Sequence, residues 1–312
     1  MPNLTIQDRI AGGLWGLLVG DAVGVPYEFQ YPEALPPVEA IDIIPPLGFH
    51  RSHQGVPVGT WSDDGAHALC LLASLLYCGR LDINDLMRRL INWYDVGYMT
   101  PDGVVFDVGV QTTMAFATFR RGVQAVACGP AAAQRNGNGS LMRVLPLALW
   151  HQGSDVQLIN DAHLQSRITH GHMRAQVCCA LYCMWARYTL QGIPMSWKAA
   201  VETLRSVYAE ESEEREELEL HIRPDEAPRG TGSGYVVDCL QSARVALEQK
   251  TYQDVVQTAI KLGRDTDTTA CVAGGIAGLR EGIEAIPARW MTTMQGDDIV
   301  TPLLTQLLTR HG

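Results

Sequence analysis

Apolar residues recur at three- and four-residue intervals through most of the chain, the spacing that gathers them on one face of an α-helix. The pattern predicts helices over Ile6–Val19, Ala66–Cys78, Ile83–Tyr94, Thr112–Arg121, Leu141–Trp150, Met173–Leu190, Trp197–Ala209, Val236–Glu248, Tyr252–Leu262 and Thr268–Leu279. No series of segments alternates with the period of a β-strand. Gly79 and Gly192 stand where helices should stop, and Pro194 stands just before another should begin. So many helices with short connections predict an all-α fold with one domain over residues 1–312.

Two stretches break the pattern. Glu28–Gly59 holds six prolines and three glycines, too many for a long helix, and should wrap the surface near the first helix. Ala209–Gly234 opens with Glu210, Glu211, Glu213, Glu214, Glu216, Glu217 and Glu219 and ends in Pro and Gly. Such a charge run reads as a solvated helix face, or else as a mobile flap that tunes access to a site.

Composition narrows the function classes. Hydrophobic residues make up 46% of the 312 and charged residues 19%, which excludes a disordered chain. The net charge of −10 repels phosphate backbones and anionic lipid, so neither nucleic acid nor a membrane surface is an expected partner. No apolar run reads as the roughly 18 residues needed to span a bilayer. The N-terminus lacks a basic segment followed by an apolar one. The eight cysteines, with no CxxC pair, read as reduced and buried, in keeping with a cytoplasmic protein.

The chemistry concentrates in two acidic clusters. Ser62-Asp63-Asp64 precedes one apolar helix, and Arg264-Asp265-Thr266-Asp267-Thr268-Thr269 precedes another about 200 residues later. Each alone reads as a helix N-cap, where a side-chain oxygen accepts backbone N–H bonds and acidic groups suit the helix dipole. Should the two meet, four carboxylates and their hydroxyls would converge, and that repulsion calls for a cation. All-oxygen ligation suits Mg²⁺, Mn²⁺ or Ca²⁺ rather than Zn²⁺, and shared carboxylates can bridge two ions roughly 3.5–4 Å apart. An EF-hand is excluded, because neither cluster has its loop of about 12 residues closed by Glu.

With these clusters in view, the sequence resembles the ADP-ribosylglycohydrolases, in particular the dinitrogenase-reductase-activating, arginine-specific type. The resemblance runs along nearly the whole chain. It rests on Ile10 to Gly16 with Gly20-Asp21-Ala22-Val23-Gly24-Val25-Pro26-Tyr27-Glu28-Phe29, and on Gly59-Thr60-Trp61-Ser62-Asp63-Asp64. Phe106-Asp107-Val108-Gly109, Asn138-Gly139-Ser140-Leu141-Met142-Arg143, Thr169-His170, Gly232 to Asp238 and Gly263 to Thr269 follow in register. One departure stands out: Gly65 occupies the place where the family usually has Thr after the two aspartates.

The resemblance implies an orthogonal helical bundle around two divalent ions, Mg²⁺ or Mn²⁺. Carried over, Ser62, Asp63 and Asp64 would ligate from one helix start, and Asp265, Asp267 and Thr268 from the other. Asp107 would serve as general base or proton shuttle, and Glu28 would gate the pocket or assist proton transfer. Asn138, Gly139 and Ser140 would hold phosphate through backbone N–H groups; their plain reading is an Asn-Gly turn and a Ser cap. Ser233, Gly234 and Tyr235 would contact the nucleotide, and His170 would line the ligand pocket; a lone buried His is otherwise a structural residue. The implied reaction is hydrolysis of the glycosidic bond that joins ADP-ribose to a protein side chain, arginine above all, with ADP-ribose as product and an oxocarbenium-like transition state. Two other readings compete. The chain could sequester ADP-ribose or a cognate ADP-ribosyltransferase toxin without turnover, as an immunity protein. It could also be a helical protein stabilised by a structural Ca²⁺ or Mg²⁺.

Overall fold

A computed structural model describes residues 4–311. In chain order its helices are α1 (Ile6–Gly24), α2 (Asp63–Cys78), α3 (Ile83–Val96), α4 (Val110–Arg120), α5 (Leu145–Trp150), α6 (Asp155–Arg167) and α7 (Met173–Leu190). They continue with α8 (Ser196–Val207), α9 (Glu213–Glu216), α10 (Val236–Ala246), α11 (Tyr252–Lys261), α12 (Thr266–Glu281), α13 (Ala288–Met291) and α14 (Asp297–Thr309). Among the described residues there is no strand, only one isolated antiparallel bridge between Gly137 and Tyr235. The all-α expectation holds.

The antiparallel pair α1 and α12 forms the centre of the core, and small residues make the pairing possible. A Cβ added to Gly12 would lie 2.4 Å from the Gly278 carbonyl oxygen; at Gly16 it would lie 2.5 Å from that of Gly274, and at Gly20 2.2 Å from that of Ala270. Interiors packed this tightly do not absorb an extra methyl, so larger residues would force the helices apart. At the far end of this seam Gly24 lies against Asp267, and Thr266 Oγ1 donates to the Gly24 carbonyl at 2.9 Å. Helix packing thus delivers the end of α1 to the start of α12.

Several expectations need correction. The segment Ile6–Tyr27 is long and apolar enough to cross a bilayer, but 94% of its most apolar 18-residue window is buried inside the protein against its neighbours. Helix α5 begins at Leu145 rather than Leu141, because Pro146 fits the first helical turn and residues 138–142 close a turn on the Asn138 carbonyl instead. Helix α6 escaped the sequence pattern because its buried face includes Gln165 and Ser166 beside Leu158, Ile159 and Ala162. Helix α14 carries Pro302, which reads as a breaker.

Both irregular stretches are anchored. Between α1 and α2 the chain makes only single 3₁₀ turns at Val25–Tyr27 and Val38–Ala40, and Lys261 Nζ donates to the carbonyls of Pro32, Leu35 and Pro36. The acidic stretch forms α9 and a π-helical turn at Glu217–Ile222. Glu217 departs from the solvated-face reading: it is buried and takes a bidentate bond from Arg174. All eight cysteines are free thiols, seven of them buried.

Candidate active site

The first acidic corner is held from outside its own helix. Trp61, fully buried, donates from Nε1 to the Met99 carbonyl at 2.9 Å and fixes the approach to α2. Ser62 is the N-cap, and its hydroxyl accepts from the Asp64 N–H at 3.3 Å. The carboxylate of Asp21, at the end of α1, accepts from the N–H groups of Ser62 (3.0 Å to each oxygen) and Gly65 (2.8 Å). Orphan donors of the first turn are met this way, and Asp63 and Asp64 remain free of capping duty. Gly65 has a structural reason as well: a Cβ there would meet Leu18 Cδ2 and Trp61 Cβ, each at 2.8 Å. A threonine at that position does not fit this packing.

The second corner is steered differently. Asp265 is the N-cap of α12 but makes no capping bond. Its Oδ2 accepts instead from Asn138 Nδ2 at 2.9 Å. Asp267 Oδ1 accepts from the Thr268 N–H at 2.9 Å.

The two corners meet. Thr268 Oγ1 donates to Asp64 Oδ1 at 3.2 Å, across 204 residues of sequence. Carboxylate oxygens of Asp21, Asp64 and Asp267 lie within 4.8 Å of one another, and so do those of Glu28, Asp265 and Asp267. Asp64 Oδ2 and Asp267 Oδ2 are buried with no hydrogen-bond partner. Burial first, and neighbouring carboxylates second, drive Asp63, Asp64 and Asp267 well above the usual carboxylate range. The same causes push Glu28 up to about 10. Burial pushes Asp21 up to about 7 although its N–H bonds pull the other way. Packed anionic oxygens with unpartnered lone pairs fit hard divalent cations.

Glu28, Asp64 and Asp265 of this cage reach the floor of a cleft of about 340 Å³, and Asp21 and Asp267 lie behind its lining. Glu28, Asp63, Asp64, Asp107, Asn138, Gly139, His170, Asp265 and Thr268 line it, together with Phe29, Val110, Gln111, Arg135 and Met142. Asp107 is held at φ +48°, a left-handed conformation that is costly for a residue other than glycine and is concentrated at functional sites. It is not a helix cap, since α4 is capped by Gly109. Burial and then Asp265 raise it to about 6. His170 is buried, shares a 2.9 Å hydrogen bond with Thr169 through Nδ1, and is driven down to about 3 by burial and Arg143, so it is neutral.

Other expected residues do not face the cleft. Ser62 caps α2. Ser140 does not cap a helix; its fully buried hydroxyl bonds Ser166 at 2.8 Å. Ser233 donates to Asp238 at 2.8 Å. Gly234 backs the cage, its carbonyl taking the Asn138 N–H, with Asp265 Oδ2 3.0 Å from where a Cβ would stand. Tyr235 sits beyond the cleft lining, 39% exposed, and its hydroxyl accepts from Arg174 at 3.0 Å. Sequence reading missed Asp21 and His53 as site residues. For Asp21 a signal existed: a carboxylate in the apolar run of α1 needs a buried partner. For His53 there was none, because its partner Glu28 is 25 positions away across a proline-rich loop.

The sequence profile of ADP-ribosylglycohydrolases matches residues 2–311. The chain belongs to the ADP-ribosylglycohydrolase family. A relative from Serratia proteamaculans named ADP-ribosylarginine hydrolase Tri1 is 27% identical over 98% of this chain and 81% of its own length. The ADP-ribosyl-[dinitrogen reductase] glycohydrolase of Rhodospirillum rubrum is also 27% identical, over 94% of this chain and 92% of its own. A solved structure described as an ADP-ribosylglycohydrolase-related protein complex superposes with a TM-score of 0.77 at 29% identity, covering 97% of both chains. This ADP-ribosylglycohydrolase is an enzyme, a hydrolase of ADP-ribosyl linkages.

Proposed function

We propose that the chain removes ADP-ribose from arginine side chains of modified proteins, using two divalent ions, Mg²⁺ or Mn²⁺, held by the acidic corners. The observation that carries this reading is the Thr268–Asp64 bond, which joins both corners on the floor of a cleft that also holds Asp107. The name of the relative from Serratia, an ADP-ribosylarginine hydrolase, supports arginine as the modified residue, and that of the relative from Rhodospirillum supports a modified protein as the substrate.

Asp63, Asp64, Asp265 and Asp267 would hold the ions, with Thr268 contributing an oxygen, Ser62 held as the α2 cap, and Asp21 and Glu28 close enough to assist. Divalent ions bound there supply the positive field that grips ribose hydroxyls and offsets the carboxylate repulsion. Asp107, tuned to about 6, can hold or release a proton near neutral pH. Guanidine is a poor leaving group, so a proton delivered to its nitrogen and one removed from the attacking water both lower the barrier. With divalent ions bound, Glu28 and the floor carboxylates would be held ionised and would stabilise the positive charge that develops on the ribose ring. Asn138, Gly139 and neutral His170 on the cleft wall, with Tyr235 beyond it, are the surface for the nucleotide portion.

The test is a hydrolysis panel on arginine-, serine- and acetyl-linked ADP-ribose, with Mg²⁺, Mn²⁺ or EDTA. Release from arginine, lost in EDTA, is the expected result; release from serine or acetyl linkages alone overturns the assignment. Asp107→Asn should retain metal binding while turnover falls about 10²–10⁴-fold. Unchanged turnover in that variant removes Asp107 from the chemistry.

A further inference from the structure

A second feature of the cleft lies in the irregular stretch between α1 and α2. His53 Nε2 lies 2.6 Å from Glu28 Oε2, within hydrogen-bond distance. The imidazole also sits between two aromatic rings, with centroids 5.5 Å from Phe29 and 5.1 Å from Phe106. Phe29 directly follows Glu28, and Phe106 directly precedes Asp107. One side chain therefore touches both segments that carry the cleft carboxylates Glu28 and Asp107.

The backbone concentrates unusual conformations at the same place. Phe29 (φ +60°), His53 (φ +50°), Asp107 (φ +48°) and Arg264 (φ +64°) are all left-handed without being glycine. Conformations of this kind persist only where surrounding contacts over-determine them. Those contacts are present: Ser52 N–H donates to the Pro26 carbonyl at 2.8 Å, and the Ser52 hydroxyl donates to the carbonyl of Glu28. Phe29 N–H donates to Arg264 O and Arg264 N–H to Gln30 O, each at 2.6 Å, which ties the same loop to the start of α12. The His53 side chain is only 15% exposed.

We propose that His53 is a positioning residue that locks the Glu28 carboxylate and the Asp107 turn into one arrangement above the acidic corners. It touches no reacting atom. Its contribution is to select one rotamer of Glu28 by hydrogen bonding and one path of the Phe106–Asp107 backbone by aromatic packing. Groups that orient catalytic or ligating carboxylates in this way typically influence activity by about 10–100-fold. The inference rests on the proposed hydrolysis for its kinetic consequence, though not for its geometric one.

Three variants separate positioning from plain loop packing. His53→Ala removes the bond and both ring contacts. His53→Asn tolerates the left-handed backbone but is too short to reach Glu28. His53→Gln keeps a polar group at that reach. Expected in ADP-ribosyl-arginine hydrolysis is a kcat lowered about 10–100-fold in the Ala and Asn variants with KM little changed, and substantial recovery in the Gln variant. Crystal structures of the Ala and Asn variants should show the Glu28 carboxylate displaced while α2 and α12 stay in place. Glu28 in its original position in both crystals overturns the proposal, as does wild-type kcat in both variants. Should the wild type hydrolyse none of the panel substrates, the proposed function fails, and the position of Glu28 in the variant crystals still decides the role of His53.

Discussion

At the start of α2 the backbone donors are met by Ser62 and by Asp21 reaching across from α1, whereas at the start of α12 the N-cap Asp265 makes no capping bond and is held by Asn138. Both sequences look like ordinary helix starts, and capping chemistry accounts for either one in isolation. The structure separates the two jobs. In the first corner an outside carboxylate takes over the caps, which leaves Asp63 and Asp64 unspent. In the second, the cap residue itself turns away from its helix and into the cleft. An acidic helix start becomes a candidate ligand set when a partner from elsewhere in the chain either relieves it of capping or restrains it against capping.

The comparison can be broken most forcefully at the carboxylates that meet. Asp64→Asn and Asp267→Asn should each reduce hydrolysis to background, although their surroundings differ, because each faces the shared cage. Activity retained in one and lost in the other would show that the corners are not used together. Asp21→Ala should cost stability rather than chemistry alone. Leaving the Ser62 and Gly65 N–H groups buried without an acceptor costs about 2–4 kcal/mol by denaturant unfolding. Asp21→Asn keeps an acceptor and should recover part of that loss; a stable Asp21→Ala would mean that Ser62 caps α2 unaided.

Asn138→Ala is the matching change at the other corner and should behave oppositely. Asp265 loses its restraint, divalent-ion affinity in titration calorimetry drops about 10–100-fold, and the melting temperature in EDTA hardly moves. A large fall in melting temperature with intact affinity would assign Asn138 to the scaffold. A further test concerns pH. Asp107 and Asp21 ionise at about 6 and about 7 when folded, above their unfolded values, and Glu28 at about 10. Between unfolded and folded values the native state binds the extra proton, so stability without metal falls as pH rises through that window. The slope is at most about 1.4 kcal/mol per pH unit for each such group. Melting temperature in EDTA should therefore decline from about pH 5 to pH 8, as Asp107 and Asp21 ionise and Glu28 keeps a proton that the unfolded chain gives up. Added Mg²⁺ or Mn²⁺ should raise it more at pH 8 than at pH 5. A pH-independent melting curve in EDTA would mean that the buried carboxylates are already relieved by other means.

What could be read from the chain differed by region for physical reasons. Amphipathic helices such as α3, α8 and α11 were legible because burial on one face imposes a repeat, and α2, α7 and α12 were legible as long apolar runs buried on all sides. Helix α6 was not, since Gln165 and Ser166 serve as interior polar partners of Arg143, Ser140 and the 166–170 turn. Residue types alone marked Asp63, Asp64, Asp265 and Asp267 as helix caps or, should the clusters meet, candidate oxygen ligands, and the order of motifs pointed to the family. Asp21 was quoted within a motif and yet not assigned, because its role lies in which helix end it reaches rather than in its own neighbours.

The amino-acid sequence by itself therefore determined the helical class, the carboxylate inventory and the chemistry those carboxylates suit, all of which follow from side-chain type and local period. Only the tertiary structure decided that the two corners share one cage, that Asp21 frees the first of them, that Ser140 and Ser233 are spent inside the scaffold, and that His53 closes on Glu28. Those are consequences of the glycine seam between α1 and α12 and of loop closures spanning tens to hundreds of residues. Contacts of that range leave no period in the sequence, since each depends on how closely two backbones are able to approach.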